Sequence, residues 1–153
     1  MLLKQWEKLA PYPGGKRIFS YLFGRMVPYS GSIHPEIVHL EAGHVKVLLR
    51  DRRKVRNHLQ SIHAAALMNL AEAASGLSFV TGLPKDARAI VLEFKIKYFK
   101  KARGNLIAEC YCAPPSTVTE RKEYKVQAQV KNENGETVCE AEATWLVSPP
   151  ENK

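Results

Sequence analysis

The sequence lacks the features that mark several common classes of protein. No apolar run approaches the roughly 20 residues of a membrane-spanning helix, so we expect no membrane insertion. Cysteine is scarce: Cys110, Cys112 and Cys139 are an odd number and form no zinc-binding pattern, which argues against a disulfide framework. Lys4 and Glu7 interrupt the apolar start of the chain, unlike the continuous core of a signal peptide. The cytoplasm is therefore the expected location.

The motifs of several large enzyme classes are also missing. The chain contains no G-x-S-x-G nucleophile turn, no phosphate-binding P-loop and no glycine-rich dinucleotide motif. His34, His39 and His44 are scattered along one predicted hairpin, so no metal site is expected. No internal repeat and no low-complexity segment interrupts the chain. These observations predict a single globular domain over residues 1–153.

The charge of the chain is strongly positive. Its 153 residues carry a formal net charge of +8, which attracts polyanions such as nucleic acid, anionic membranes or phosphate groups. Basic residues cluster twice, at Lys46, Arg50, Arg52, Arg53, Lys54 and Arg56 and again at Lys97, Lys100, Lys101 and Arg103. The clusters are either solvated faces of loops and strands or a rim that holds phosphates. Aromatic residues are not interleaved with them in a recognition pattern, so no specific nucleic-acid partner is expected.

The most informative stretch is a predicted helix over Ser61–Leu77. It is rich in Ala and Leu, which cost a helix little side-chain entropy. Ser61 is the predicted N-cap, and Gly76 is the predicted left-handed residue at the C-terminal end. Apolar residues fall on every side of the helix rather than on one stripe, which predicts that the helix is buried.

Three polar residues interrupt this apolar helix. Because burying an unpaired carboxylate is costly, Glu72 is paired with a cation, exposed at a cleft, or present for chemistry. His63 and Glu72 point to opposite sides of a helix and lie roughly 13 Å apart along its axis. If both serve one site, a second subunit supplies one of them. Asn69 and Glu72 are three residues apart and share a face.

Periodic patterns place further elements around this helix. Two helices, Leu2–Leu9 and Lys16–Val27, make a helical extension within residues 1–30, and residues 148–153 form a flexible tail. The last four predicted strands follow one another in meander-like succession. This order predicts the α+β class, with one antiparallel sheet and helices on one face. The strands are predicted at Ile33–Glu41, His44–Arg50, Ala89–Phe99, Leu106–Cys112, Glu123–Lys131 and Glu136–Val147.

The helix and the residues before it resemble a known active site. Asn57, His63 six residues later and Glu72 nine residues further on are similar to the active-site helix of hotdog-fold acyl-CoA thioesterases. The nearest type is the phenylacetyl-CoA and 4-hydroxybenzoyl-CoA thioesterase group, whose pattern is N-x-x-G-x-x-H-G-G ending in Asp or Glu. The stretch IHAAALMNLAE is more similar to a poorly characterised bacterial branch of that superfamily.

Two departures from the pattern bear on activity. Gln60 stands where the pattern has Gly, and Ala64 and Ala65 replace the paired glycines. A backbone amide survives a Gly-to-Ala change, so an oxyanion site is still expected, with a tighter approach for the thioester. The same changes motivate the alternative that the chain binds acyl-CoA or a fatty-acyl ligand, or regulates, without catalysis.

The resemblance implies a hotdog fold, in which a curled antiparallel sheet wraps around the long central helix, and a homodimer with its site at the interface. It implies that Glu72 is the general base or nucleophile, that His63 positions or polarises the thioester, and that Asn57 orients the water or the carbonyl. The amides of His63, Ala64 and Ala65 would hold the oxyanion. Substrate-binding residues are expected at Asn69, Lys100, Lys101, Arg103, Arg53 and Arg56.

The implied substrate is an acyl-CoA, so coenzyme A enters as part of the substrate and no cofactor is expected. The basic clusters would hold its phosphates. The apolar stripe of the second helix is expected to pack against the sheet, with an acyl-chain lid as the alternative. Acyl length and the choice between dimer and tetramer are left open by the sequence.

Overall fold

The computed structural model describes residues 2–150. Within them lie four helices, α1 (Leu2–Leu9), α2 (Gly15–Met26), α3 (Pro28–Gly31) and α4 (Ala64–Val80), and a single 3-10 turn at Arg53–Val55. The strands are β1 (Glu36–Glu41), β2 (His44–Leu49), β3 (Arg88–Tyr98), β4 (Leu106–Tyr111), β5 (Lys122–Lys131) and β6 (Thr137–Ser148). The α+β class and the six predicted strands are confirmed. Residues 151–153 of the predicted tail lie outside the described part.

The six strands form one antiparallel sheet in the order β1-β2-β4-β5-β6-β3. The predicted meander is wrong at its first step, because β3 pairs with β6 at the sheet edge and β4 returns to β2. The segment predicted as a turn between β3 and β4 is instead a crossover that packs on the loop before α4. There the Ala102 carbonyl accepts a hydrogen bond from the Ile62 amide at 2.8 Å.

Helix α4 lies against the inner face of the curled sheet, as its apolar sequence predicts. Eleven of its 17 residues are buried. They face alternate strand residues that are themselves inaccessible to solvent, such as Val45, Val47, Leu106 and Val130. No helix in residues 2–150 has the length and apolar character needed to cross a membrane.

Both predicted ends of the central helix are corrected by the structure. The helix begins at Ala64 and its N-cap is His63, whose side chain accepts a hydrogen bond from the Ala65 amide, whereas the Ser61 hydroxyl is buried and makes no hydrogen bond within residues 2–150. At the other end, Gly76 lies inside the helix, which continues to Val80. Gly76 packs against the ring of Trp145.

The N-terminal helices pack on the outer edge of the sheet at β1. Trp6 of α1 meets Phe19 of α2 edge-on, with ring centroids 5.2 Å apart. Phe19 and Phe23 are buried, but the rest of the predicted apolar stripe of α2 is exposed. Strand β1 begins at Glu36 rather than Ile33, because His34 has a φ of 48° and Pro35 donates no hydrogen bond.

Candidate active site

The loop before α4 is closed by Asn57. Its side-chain Oδ1 accepts hydrogen bonds from the backbone amides of Leu59 at 2.9 Å and Ser61 at 3.2 Å. The backbone amide of Asn57 donates to the Ser61 carbonyl at 2.8 Å. Gln60 in this loop has a φ of 56°, the left-handed conformation that glycine adopts without strain. The structure thus gives Asn57 a loop-forming role, since Oδ1, one of its two side-chain polar atoms, is taken up within the loop.

The side chain of His63 caps the first turn of α4. Its Nδ1 accepts a hydrogen bond from the Ala65 amide at 3.0 Å, so the proton of the neutral ring lies on Nε2. The His63 amide donates to the Val55 carbonyl at 2.8 Å. Of the three amides predicted to hold an oxyanion, only that of Ala64 has no acceptor within residues 2–150. His63 and Ala64 are both exposed residues.

Glu72 lies two turns further along α4 and is half-buried. Its carboxyl group has no ion pair and no hydrogen bond with any residue in the range 2–150, and burial raises its pKa. It borders an apolar cavity of about 160 Å³ whose walls include Leu2, Phe23 and Val27. An unpaired carboxyl with a raised pKa is the form that a general base near neutral pH requires.

The chain places His63 and Glu72 at different cavities. His63 and Asn69 line a second cavity of about 340 Å³, whose walls also include Lys54 and Arg56. The Asn69 amide group donates to the Tyr29 carbonyl at 3.0 Å, while its Oδ1 is buried without a partner. Asn69 therefore anchors α3 to α4 and offers one acceptor. Neither of these two cavities contains both the histidine and the carboxylate.

The predicted phosphate-binding residues are only partly available. Arg56 binds Asp51 at 2.6 Å, and Lys100 binds Glu136 at 2.7 Å. Arg103 reaches the Leu59 carbonyl at 3.5 Å, so its loop lies beside the loop that leads into α4. Arg53 and Lys101 have no ion pair with any other residue of the described chain.

Two residues at the His63 cavity are absent from the predicted site. Lys54 belongs to the first basic cluster, so its charge was visible, but its position beside His63 depends on the 3-10 turn. Tyr29 follows Pro28, and no sequence signal connects it with α4. Its contact with the helix arises because Pro28 begins a short helix, α3, instead of only ending α2.

One stripe of α4 is left uncovered by the rest of the chain. Met68 is 41% exposed and Val80 is 42% exposed, and Glu72 and Gly76 lie between them at four-residue intervals. The edge strand β3 is also open: it pairs only with β6, and Ile90 on it is 58% exposed. Both surfaces expose apolar side chains to solvent in the single chain.

Comparison with known proteins places this fold among solved structures. Residues 15–147 match the model of a domain of unknown function, DUF4442. No curated protein matches the chain significantly. A structural-genomics protein is similar with a TM-score of 0.82, at 29% identity and over 97% of both chains.

Two further structures carry functional descriptions. A Pseudomonas aeruginosa protein of unknown function, a probable thioesterase, has a TM-score of 0.74 at 24% identity, over 90% of this chain and 97% of that one. A hypothetical thioesterase from Streptococcus pneumoniae, solved with coenzyme A, has a TM-score of 0.68 at 20% identity, over 84% and 99%. These likenesses confirm the hotdog fold that the resemblance predicts.

Proposed function

Because this chain belongs to the DUF4442 family and has the fold of hotdog thioesterases, we propose that it is a homodimeric acyl-CoA thioesterase. It would hydrolyse a thioester to a carboxylic acid and free coenzyme A, as a cytoplasmic enzyme. The observation that carries the proposal is Glu72, a half-buried carboxyl group without a cation, beside an apolar cavity. The Streptococcus pneumoniae thioesterase solved with coenzyme A supports a coenzyme A thioester as the substrate.

In the proposed reaction, the thioester carbonyl is polarised at the start of α4. Its oxygen accepts hydrogen bonds from the open amide of Ala64 and from Nε2–H of His63, where the helix dipole also favours negative charge. Glu72 of the partner subunit takes a proton from water as the water oxygen adds to the carbonyl carbon. The carbon–sulfur bond then breaks, and the departing thiolate takes up that proton.

Glu72 can also serve as the nucleophile in the same geometry. Its carboxylate would attack the carbonyl carbon, expel the thiolate and form a mixed anhydride, which water then opens by adding to the Glu72 carboxyl carbon as the acyl carboxylate leaves. Single turnover in ¹⁸O-labelled water separates the two routes. Only the anhydride route transfers label into the Glu72 carboxyl group, and peptide mass spectrometry measures that transfer.

The dimer is part of the proposal because one chain cannot complete the site. His63 and Glu72 lie roughly 13 Å apart along α4 on opposite sides. The eleven-residue strand β3 pairs with β6 on one side, and its outer edge, with exposed Ile90 and Leu92, is a surface suited to pairing with a second copy. Such pairing would also cover the open stripe of α4 on which Glu72 lies.

The two cavities suggest how an acyl-CoA would lie. The cavity beside Glu72 is lined by Phe23, Val27 and Leu77 and suits an apolar acyl group. Lys54 near His63, with Arg53, Lys101 and Arg103 on neighbouring loops, would attract the phosphates. In this arrangement, α2 and α3 supply a wall of the acyl pocket. Helix α2 would then both pack against the sheet and cover the acyl chain, the two roles considered for it from sequence.

A panel of acyl-CoAs with a thiol-reactive dye tests turnover. We expect the wild-type protein to release free thiol and Glu72→Gln to reduce kcat by at least about 100-fold, because loss of a general base costs that much. The matched control is Glu120→Gln, at an exposed carboxylate far along the chain in a loop. Unchanged turnover in Glu72→Gln, with correct dimer size, would contradict the mechanism.

Non-catalytic binding of acyl-CoA is the alternative, and one observation favours it. The amides of His63 and Ala65 are already engaged, which leaves a single backbone donor for an oxyanion. In that role the protein would bind acyl-CoA stoichiometrically in a calorimeter and release no thiol. Glu72→Gln would then leave the dissociation constant almost unchanged.

A further inference from the structure

The tip of the β1–β2 hairpin carries a second group of polar side chains. Glu41 pairs with His44 in the register of the hairpin, and His39 lies two residues before Glu41 on the same side of β1. Leu40 and Val45 alternate with them and are buried in the core. The two histidines and the glutamate therefore lie on the outer face of the sheet, opposite α4.

These three side chains converge. One potential ligand atom from each of His39, Glu41 and His44 lies within 4.8 Å of the other two. The two imidazole ring centroids are 4.4 Å apart. Nε2 of His39 is shielded from solvent but makes no hydrogen bond, and the nearest Glu41 oxygen is 3.6 Å away. A buried imidazole nitrogen without a partner is costly unless something else binds it.

The ring of His44 is already held in place. Its Nε2 donates to Glu109 Oε1 at 3.0 Å, and its ring stacks on Tyr111 with centroids 3.8 Å apart. A carboxylate that holds one ring N–H is the usual partner of a metal-bound histidine, because it fixes the tautomer and orientation of the ring. Lys46 lies 3.1 Å from the same Glu109 oxygen, so Glu41 is the carboxylate left to balance a cation.

We propose that His39, His44 and Glu41 bind a divalent transition-metal ion of the Zn²⁺ class. Two imidazoles and one carboxylate suit zinc, nickel or copper, whereas magnesium and calcium prefer oxygen ligands alone. Zinc–nitrogen bonds of about 2.0–2.1 Å require the ligand atoms to draw closer than they lie, which side-chain rotation at the hairpin surface permits. Water would complete the coordination.

Backbone hydrogen bonds join the hairpin tip to α4 and to the chain after β4. The Gly43 amide donates to the Ser78 carbonyl at 3.0 Å, and the Cys112 amide donates to the Gly43 carbonyl at 2.8 Å. Ser78 is fifteen residues after His63 and six after Glu72, or about 22 Å and about 9 Å along α4. None of the three proposed metal ligands is a residue that the proposed hydrolysis uses, so the test of metal binding needs no substrate.

The test uses tag-free, chelator-treated protein titrated with Zn²⁺ in a calorimeter and with Co²⁺ in a visible spectrometer. We expect one ion per chain and Co²⁺ absorption bands typical of nitrogen and oxygen ligands. His39→Gln and Glu41→Gln should each weaken the dissociation constant by at least about tenfold, because each removes a ligand. His58→Gln, at an exposed loop position, is the matched control and should leave the constant unchanged.

Glu41 is exposed, so Glu41→Gln gives a test that does not depend on the folding of a histidine variant. Unfolding curves without metal show whether each variant is native. Failure to bind one equivalent of Zn²⁺ would overturn the proposal, as would equal affinities in the wild type and both variants. A cobalt–thiolate charge-transfer band would assign the ion to cysteine and would also overturn it.

Discussion

Glu72 is held half-buried on α4 with no cation beside it within residues 2–150, and burial raises its pKa. The native state therefore keeps a proton at pH values where the unfolded chain has already released it. This contribution to stability is complete below the carboxyl pKa of the unfolded chain, about 4.3, and is lost as the pH rises through the raised native pKa.

Replacing Glu72 with Gln should stabilise the protein at pH 7, because the variant has no charge to desolvate. The gain should disappear below about pH 4, where both side chains are neutral. Urea unfolding across a pH series measures the difference in the free energy of unfolding. A difference that is the same at every pH would show that the carboxyl group is not desolvated in the native state.

The loop conformation of Gln60 leads to a second residue-scale prediction. Its φ of 56° costs an ordinary residue about 1 kcal/mol, and glycine adopts it freely at some entropic cost. Gln60→Gly should therefore raise the free energy of unfolding by about 0.5 kcal/mol, measured by urea denaturation. Gln127→Gly, within β5, is the control and should lower it. Destabilisation by Gln60→Gly would refute the strain.

The residues of the site could be located from sequence only as types and spacings. Glu72 was identifiable because a single carboxylate in an otherwise apolar helix is costly to bury without a partner. The capping bond from His63 to the Ala65 amide was not, since it depends on the rotamer of one side chain. The same holds for the bond from the His63 amide to Val55, which joins two segments in three dimensions.

At the scale of elements, periodicity located each strand, while helix ends and strand order needed the folded molecule. Ser61 was a plausible N-cap by residue type, but its hydroxyl is buried without a hydrogen bond to any described residue, and His63 caps a helix that begins at Ala64. Strands β3 and β4 are separated by a turn-like segment, yet they lie in different parts of the sheet. Local propensity does not encode which edge of a sheet a strand joins.

Gly76 provides a prediction about α4 as an element. A methyl group there would meet the Trp145 ring at an ordinary 3.5 Å, so the helix would gain propensity without a clash. Gly76→Ala should raise the free energy of unfolding by about 0.5–1 kcal/mol in thermal or urea denaturation. Gly31→Ala is the contrasting control. Its methyl group would clash with the Gly24 carbonyl oxygen and should destabilise the protein.

A gain from Gly76→Ala also has a functional consequence, because Gly76 lines the cavity beside Glu72. The added methyl group would narrow the proposed acyl pocket. We expect a rise in KM for the longest accepted acyl chain and little change for the shortest. If Gly76→Ala lost as much stability as Gly31→Ala, the packing against Trp145 would require glycine at position 76.

At the scale of the whole molecule, the surfaces left open by one chain are the informative ones. The edge of β3 and the stripe of α4 from Met68 to Val80 expose apolar groups that a second copy can cover. The helical angle between His63 and Glu72 predicted a shared site from sequence alone. The edge position of β3 was not predictable, because it depends on how the chain passes through α4 from β2 to the opposite edge of the sheet.

A site shared between subunits makes a quantitative prediction for mixed dimers. A chain that carries Glu72→Gln keeps its His63, and a chain that carries His63→Ala keeps its Glu72, so each mixed dimer contains one intact site. Random exchange of two inactive homodimers should therefore restore about one quarter of the wild-type turnover. The measurement is thiol release after mixing, denaturation and refolding of equal amounts.

The control for this experiment disrupts the proposed dimer contact at the edge of β3. Ile90→Lys with Leu92→Lys places two charges on the exposed apolar part of β3 and should leave a folded monomer by light scattering. When both inactive chains also carry these lysines, mixing should restore nothing. Recovery in their presence would mean that the subunits join through another surface. No recovery from the parent mixture, with mixed dimers confirmed by mass spectrometry, would mean that His63 and Glu72 do not act on one thioester across the interface.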